Sequence, residues 1–92
     1  MIKTFRHKGL KRLFETGATK GVSSDLTARL VRQLDFLNRA VSPLDMNLPG
    51  ASLHELKGQR RGTWSVTVSG NWRLTFTFRD ADAYDVDLED YH

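Results

Sequence analysis

Residues 63–79 read TWSVTVSGNWRLTFTFR, and apolar and polar side chains alternate on both sides of the pair Gly70-Asn71. An alternation with period two is typical of a β-strand with one buried face. A Gly-Asn pair between two such strands favours a tight hairpin turn. After a second turn signal at residues 80–82 the alternation returns, and its apolar positions are Tyr84, Val86 and Leu88. We therefore predict three antiparallel strands, each with one apolar face.

The first half of the chain has the spacing of helices. Leu10, Leu13 and Phe14 predict a helix that ends at Gly17, because glycine is common directly after a helix C-terminus. Residues 42–50, SPLDMNLPG, predict a short helical segment with a serine cap and a proline in its first turn.

A second, longer helix is predicted between these two segments. Ser23 and Ser24 are its expected N-cap residues. The apolar stripe consists of Leu26, Leu30, Leu34, Leu37 and Val41, with Val31 and Phe36 on its flank. This spacing matches the 3.6-residue period of an amphipathic helix.

Two more segments extend the predicted sheet. Residues 52–57 alternate and could form a strand that ends at Gly58, and residues 2–5 could form a short edge strand. The expected fold class is α+β. It is a single domain over residues 1–92, with N-terminal helices packed on one face of a mostly antiparallel sheet of four to five strands.

The predicted packing leaves one face of the sheet open. The helices must cover the apolar side of the strand that begins at Trp72. The opposite side then presents Arg73, Thr75, Thr77 and Arg79. An open antiparallel face with cations along it can receive an extended polyanion.

Composition excludes several classes of protein. A chain of 92 residues, of which 39% are hydrophobic, has room for one small core. It has no cysteine, which excludes disulfide scaffolds, thiol nucleophiles and cysteine-based metal sites. We expect neither a membrane-spanning helix nor a secretory signal, because no long apolar run occurs. A reducing cytoplasm is consistent with this composition.

Charge is distributed unevenly along the chain. The net charge is +3, but residues 57–79 contain five basic residues and no acid, whereas residues 80–92 contain six acids. Such segregation favours a polyanionic partner, such as nucleic acid, or an acidic protein. An ordinary solvated surface is the alternative interpretation.

Several side chains could carry chemistry. The three histidines lack metal-ligand spacing, and neither a glycine-rich phosphate loop nor a serine-nucleophile motif occurs. The candidates on or near adjacent predicted strands are His54, Lys57, Arg73, Asp90, Tyr91 and His92. Imidazoles, a phenol and cations suit metal-free cleavage of RNA, in which a base activates the ribose 2′-OH and cations stabilise the phosphorane. A surface histidine and a frayed C-terminus are the alternative interpretation.

Four ordered elements resemble a known family. They are MIKTFRHKGLK at the start, LHELKG at residues 53–58, GTWSVTV with NWRLTF between residues 62 and 76, and EDYH at residues 89–92. Together they resemble the HigB-type toxins of the RelE superfamily, over essentially the whole chain. The resemblance implies a RelE-like fold and a ribosome-dependent, metal-independent endoribonuclease without a cofactor. Such toxins cleave mRNA in the ribosomal A site through attack by the 2′-OH and inhibit translation and growth.

The resemblance also implies roles for individual residues. The catalytic set carries over to His54, Arg73, Asp90, Tyr91 and His92. The RNA- or ribosome-binding set is Lys57, Asn71, Lys8, Arg60 and Arg61, with Asn71 expected to contact the codon. Whether His54 or His92 acts as the base stays open.

The implied partners are the ribosome, mRNA and a HigA-type helix-turn-helix antitoxin. Operator DNA would be contacted only through the antitoxin complex, no membrane would be involved, and the location would be the bacterial cytoplasm. Two alternatives stay open: a non-enzymatic basic module that binds nucleic acid or protein, for example as an operon co-repressor, and a ribonuclease that acts on free RNA. Assays of mRNA cleavage with and without ribosomes distinguish these two alternatives from the ribosome-dependent endoribonuclease.

Overall fold

The computed structural model describes residues 1–91, which form two α-helices and a four-stranded sheet. The elements are α1 (Lys8–Thr16), α2 (Thr27–Arg39), β1 (His54–Glu55), β2 (Thr63–Ser69), β3 (Trp72–Arg79) and β4 (Asp82–Asp90), with 3₁₀ turns at Pro43–Met46 and Gly58–Arg60. The predicted α+β class is thus confirmed. Within the described residues, no helix is both long enough and apolar enough to span a membrane.

The strands lie in the order β1-β2-β3-β4, and each neighbouring pair is antiparallel. The predicted N-terminal edge strand consists of two parallel bridges to β4, from Ile2 to Ala83 and from Phe5 to Val86. The strand predicted over residues 52–57 is shorter than expected, with only two residues. Its start is limited by Ser52, whose φ of +50° turns the chain out of the extended conformation.

The core lies between the helices and one face of the sheet. Its largest fully buried apolar side chains are Leu10, Leu30, Leu34, Leu37, Met46, Val66, Val68, Leu74, Phe76 and Val86. Phe76 is the largest of them. The predicted apolar faces of β2 and β3 therefore supply the sheet side of the core, which leaves the other face available for function.

The predicted end of α1 is confirmed. Its first turn is capped by His7, whose Nδ1 accepts a hydrogen bond from the Leu10 amide at 3.1 Å. Its end is at Gly17, with a φ of +78° that residues other than glycine rarely adopt. The predicted short segment is also present, because Ser42 and Asp45 form a capping box around Pro43.

The start predicted for α2 is wrong. The N-cap is Leu26, and neither Ser23 nor Ser24 caps the helix with its side chain. Instead, the Ser23 carbonyl accepts hydrogen bonds from the Leu26 amide and from Thr27 Oγ1. The backbone turn before the helix thus replaces the expected side-chain cap.

The edge of the predicted apolar stripe is wrong as well. Val41, Val31 and Phe36 are 65%, 49% and 37% exposed. Val41 lies after the helix, because the chain becomes extended at Ala40. The other two lie on the sides of α2 that the sheet does not cover.

The face predicted for Tyr84 is wrong, because β4 contains a bulge. The register shifts between Thr75 and Thr77, and Asp85 has a φ of +55°. The extra residue places Tyr84 opposite Thr77, on the open face, whereas Val86 lies in the core. Beyond the bulge, the open face of β4 carries Asp87 and then Glu89, as the register with β3 requires.

Candidate active site

Strand register assembles polar residues in rows across the open face of the sheet. One row runs from His54 through Ser65 and Thr75 to Asp87, and the adjacent row contains Arg73 and Glu89. Paired residues of antiparallel strands have side chains on the same face. Neighbouring strands are about 4.8 Å apart, so backbone positions within a row follow each other at that spacing. The strand register thus places His54 and Arg73 on the same face of the sheet, as predicted.

Arg73 and Tyr91 lie together at the end of this face near the β2–β3 turn. The Arg73 guanidinium carbon is 5.8 Å from the centroid of the Tyr91 ring. Arg73 Nη1 donates hydrogen bonds to the carbonyls of Gly70, at 2.7 Å, and Trp72, at 3.2 Å. The Tyr91 amide donates to the Asn71 carbonyl at 2.8 Å. The turn therefore orients both the cation and the aromatic ring.

A second arginine reaches the same region from the turn before β2. Arg60 Nη1 and Nη2 donate to Glu89 Oε1 and Oε2 at 2.8 and 2.5 Å. Glu89 Oε2 also accepts a hydrogen bond from Thr75 Oγ1 at 2.6 Å. Two parallel charge-assisted bonds between a guanidinium and a carboxylate give strong geometric specificity. We refer to Arg60, Glu89 and Thr75 as the Arg60–Glu89 clamp.

The charges of the clamp stabilise each other. The hydrogen bonds from Arg60 are the main reason why the pKa of Glu89 lies below its ordinary value, and the Thr75 hydroxyl adds to the effect against partial burial. The bond to Glu89 is likewise the main cause of the raised pKa of Arg60, with smaller contributions from Tyr91 and Asp87. Both groups therefore stay ionised at neutral pH.

Sequence reasoning missed Glu89 and Thr75 as site residues. In the sequence, Glu89 is one of several acids near the end of the chain, and Thr75 is one of several hydroxyls on the open face. Arg60, expected among the RNA- or ribosome-binding residues, lies in the clamp and is bonded to Glu89. The alternation of β3 and β4 contains a signal for part of this, since it makes Glu89 a neighbour of Arg73 across the two strands.

His54 lies on the short edge strand β1 and is exposed. Its Nδ1 is 3.3 Å from the Ser52 carbonyl oxygen. Because a carbonyl oxygen only accepts, this contact requires a proton on Nδ1, and Nε2 of the neutral ring is then an acceptor. An exposed acceptor nitrogen is what a general base needs.

The other predicted RNA- or ribosome-binding residues do not all lie around this surface. Lys57 and Arg61 border an open cavity of about 460 Å³ next to β1. Asn71 is exposed in the β2–β3 turn. Lys8 is exposed in the first turn of α1, in the helical layer behind the sheet.

The C-terminal candidates are not all brought together. Asp90 is paired with Trp72, so strand alternation places it on the face opposite to Glu89. Tyr91 lies with Arg73, and His92 lies outside the described residues. Within residues 1–91, no group of three or more His, Cys, Asp or Glu side chains could hold a metal ion.

Comparison with known proteins gives the family. Residues 3–92 match the family of RelE-like toxins of the type II toxin–antitoxin system HigB. The chain belongs to this family. A curated relative, the endoribonuclease HigB of Proteus vulgaris, is 48% identical over 92 residues, which cover both chains completely.

The predicted resemblance is thus confirmed. The chain is a HigB-family toxin of a type II system, and its enzymatic class is endoribonuclease. A type II toxin has an antitoxin as its partner. The alternative of a non-enzymatic binding module is therefore not supported.

Proposed function

We propose that this toxin is a ribosome-dependent endoribonuclease that cleaves mRNA in the A site, without a metal ion. The observation that carries the proposal is the grouping of Arg73, Tyr91 and Arg60 at one end of an open sheet face that also carries His54. Cations and an aromatic ring on one surface suit a single-stranded RNA segment, since bases stack on aromatic rings and phosphates pair with cations.

The proposed reaction is an internal transfer of the phosphodiester. A base removes the proton from the ribose 2′-OH, the 2′-oxygen forms a bond to phosphorus, and the bond from phosphorus to the 5′-oxygen breaks. An acid protonates the departing 5′-oxygen, so the products are a 2′,3′-cyclic phosphate and a 5′-OH. Either His54 or His92 is the base, and the other histidine or Tyr91 is the acid.

The remaining predicted residues support this reaction. Arg73 and Lys57 stabilise the charge that develops on the phosphorane. Asp90 orients or balances the charge of an imidazole. Asn71, in the exposed turn beside Tyr91, contacts the codon, and Lys8 and Arg61 contact ribosomal RNA.

The proposed biological setting follows from the same reasoning. The antitoxin is of the HigA type, with a helix-turn-helix, and operator DNA is bound only through its complex with this toxin. The toxin acts in the bacterial cytoplasm, where ribosomes and mRNA are present.

The decisive experiment compares ribosome-bound with free mRNA. Purified toxin is added to mRNA alone and to ribosomes with a defined A-site codon, and the new 5′ ends are mapped. We expect cuts within the A-site codon that require the ribosome. Equal cleavage of free mRNA would contradict ribosome dependence, and intact mRNA in both reactions would contradict the nuclease.

A matched pair of variants links this activity to the proposed surface. Arg73→Ala removes the cation beside Tyr91, whereas Arg79→Ala removes an arginine from the other end of the same strand and face. We expect cleavage to fall by about a hundredfold only in the first variant, since removal of one charge-stabilising group has an effect of this size. Equal activity of the two variants would argue against the proposed site.

A further inference from the structure

The Arg60–Glu89 clamp places a carboxylate on the surface proposed to bind RNA. A negative charge there weakens attraction to phosphate, so Glu89 does not serve to raise affinity. We propose that Glu89 is a positioning residue that holds the Arg60 guanidinium against the scissile phosphate, which makes Arg60 a catalytic residue. This inference rests on the proposed function, because it names further residues of the same site.

The clamp has a rigid base. Thr75 is 1% exposed in the middle of β3, and its hydroxyl donates to Glu89 Oε2. The Glu89 side chain is 22% exposed and that of Arg60 46%. Arg60 comes from a short 3₁₀ turn, and a long side chain from such a turn has many rotamers available when nothing holds it. The buried hydroxyl fixes the carboxylate, and the carboxylate in turn fixes the arginine.

The location of the clamp directs Arg60 toward the proposed reaction site. Glu89 is directly opposite Arg73 in the register of β3 and β4, and Tyr91 follows Glu89 by two residues. A guanidinium has five N–H groups, of which the two bonds to Glu89 occupy two. Under this proposal, the other three donors are the ones that bind a phosphate between Arg60 and Arg73.

A competing role for the clamp predicts the opposite kinetics. If Glu89 and the RNA phosphate compete for Arg60, removal of the Glu89 charge releases the arginine, strengthens binding and leaves cleavage as fast or faster. If Glu89 positions Arg60, its removal slows cleavage without weakening binding. The division of the effect between rate and affinity therefore separates the two roles.

The experiment uses single-turnover cleavage in a reaction that contains ribosomes and mRNA together, so free and ribosome-bound substrates are both present. The rate constant at saturating toxin and the half-saturating toxin concentration are measured for wild type, Glu89→Gln, Arg60→Gln and the double variant. Asp35→Asn is the matched control, because Asp35 forms an exposed pair with Arg39 on α2, away from the sheet face. Thermal unfolding of each variant verifies that it is folded.

We expect Glu89→Gln to lower the saturating rate constant by roughly tenfold to a hundredfold, since misplacing a group by about 1 Å has an effect of this order. The half-saturating concentration should stay within about threefold of wild type, because positioning acts on the transition state and not on uniform binding. Asp35→Asn should match wild type. The double variant should cleave no more slowly than Arg60→Gln, because Glu89 acts through Arg60.

Four outcomes overturn the proposal. An undiminished rate for Glu89→Gln with tighter binding supports competition instead, and multiplicative losses in the double variant show that Glu89 does not act through Arg60. If Glu89→Gln does not fold, Thr75→Val is measured in its place. An unchanged rate constant in Thr75→Val would contradict the proposed positioning role of Glu89. A wild-type chain that cleaves neither free nor ribosome-bound mRNA overturns the proposed function itself, and with it this inference.

Discussion

The guanidinium of Arg73 lies over the ring of Tyr91, with 5.8 Å from its central carbon to the ring centroid. Two backbone carbonyls of the β2–β3 turn accept hydrogen bonds from the same guanidinium. A planar cation is thus held between a turn and an aromatic ring, a geometry that lysine cannot reproduce because its ammonium is compact and its stem flexible.

Replacement of Arg73 by lysine should therefore impair cleavage although the charge is kept. We expect the rate constant to fall by about tenfold, from loss of the planar donor geometry near the phosphate. Arg79→Lys is the control, since Arg79 stacks at 4.0 Å on Tyr84 at the distant end of β3. Initial rates on ribosome-bound mRNA measure both, and a fully active Arg73→Lys would show that charge alone is sufficient.

The Arg60–Glu89 clamp predicts a specific dependence of stability on pH. Its hydrogen bonds keep the pKa of Glu89 below the ordinary value of 4.5 in the folded chain. The stabilisation is therefore complete above that value and is lost as the pH falls through the lower pKa of the folded state. Glu89→Gln removes it at every pH. The difference in free energy of unfolding should be about 1 kcal/mol near pH 7 and should narrow in acid.

Urea unfolding of wild type and Glu89→Gln between pH 7 and about pH 3 measures this difference. Asp35→Asn is again the control, because an exposed ion pair on a helix contributes little at any pH. A wild-type advantage that stays constant down to the lowest pH would mean that the Glu89 charge does not cause it.

The alternation of apolar residues predicted β2 and β3 correctly, because both strands are regular over most of their length. It failed for Tyr84, because the bulge at Asp85 has no sequence signal such as a glycine at its positive φ. Val41 was misplaced for a related reason, since the chain leaves the helical conformation at Ala40, before the spacing suggested. Periodicity therefore identifies a helix or a strand well, but it does not show where a bulge interrupts a strand or where a helix ends.

The candidate site was predicted in part. Arg73 and Tyr91 lie together as expected, because one is on β3 and the other directly follows its neighbour β4. The link between Arg60 and Glu89 spans 29 residues and depends on the conformation of the turn before β2. No local sequence pattern contains this information, so the Arg60–Glu89 contact could not be predicted before the folded arrangement was known.

Ser65 offers a test of packing beneath the site. It is completely buried between the positions of His54 and Thr75, and its Oγ has no hydrogen-bond partner among residues 1–91. Burial of a hydroxyl without a partner is unfavourable. Ser65→Ala should therefore leave the free energy of unfolding unchanged or raise it by up to about 1 kcal/mol.

The contrasting variant is Thr75→Val, which has a similar shape but removes the hydroxyl that bonds to Glu89. It should lower the free energy of unfolding by roughly 1–2 kcal/mol. Chemical denaturation measures both changes. A clearly destabilised Ser65→Ala would indicate that the Ser65 hydroxyl has a stabilising contact after all.

The last prediction concerns Lys57, which is exposed beside the open cavity next to β1. Lys57 is proposed to contact a phosphate of single-stranded mRNA. Lys57→Gln should therefore reduce the magnitude of the slope of log affinity against log salt concentration by about 0.7. The effect should be largest at low salt, where counterion release favours binding most. The half-saturating toxin concentration for ribosome-bound mRNA, measured over a salt series, gives the slope.

Variants of two further lysines provide comparisons for the salt dependence of Lys57→Gln. Lys20→Gln, in the exposed connection between α1 and α2, should keep the wild-type slope and serves as the control. Lys8→Gln, on the helical layer, should also reduce the slope, because Lys8 is proposed to contact ribosomal RNA. A Lys57→Gln slope equal to that of Lys20→Gln would remove Lys57 from the RNA-binding set, because a cation that neutralises no phosphate releases no counterions.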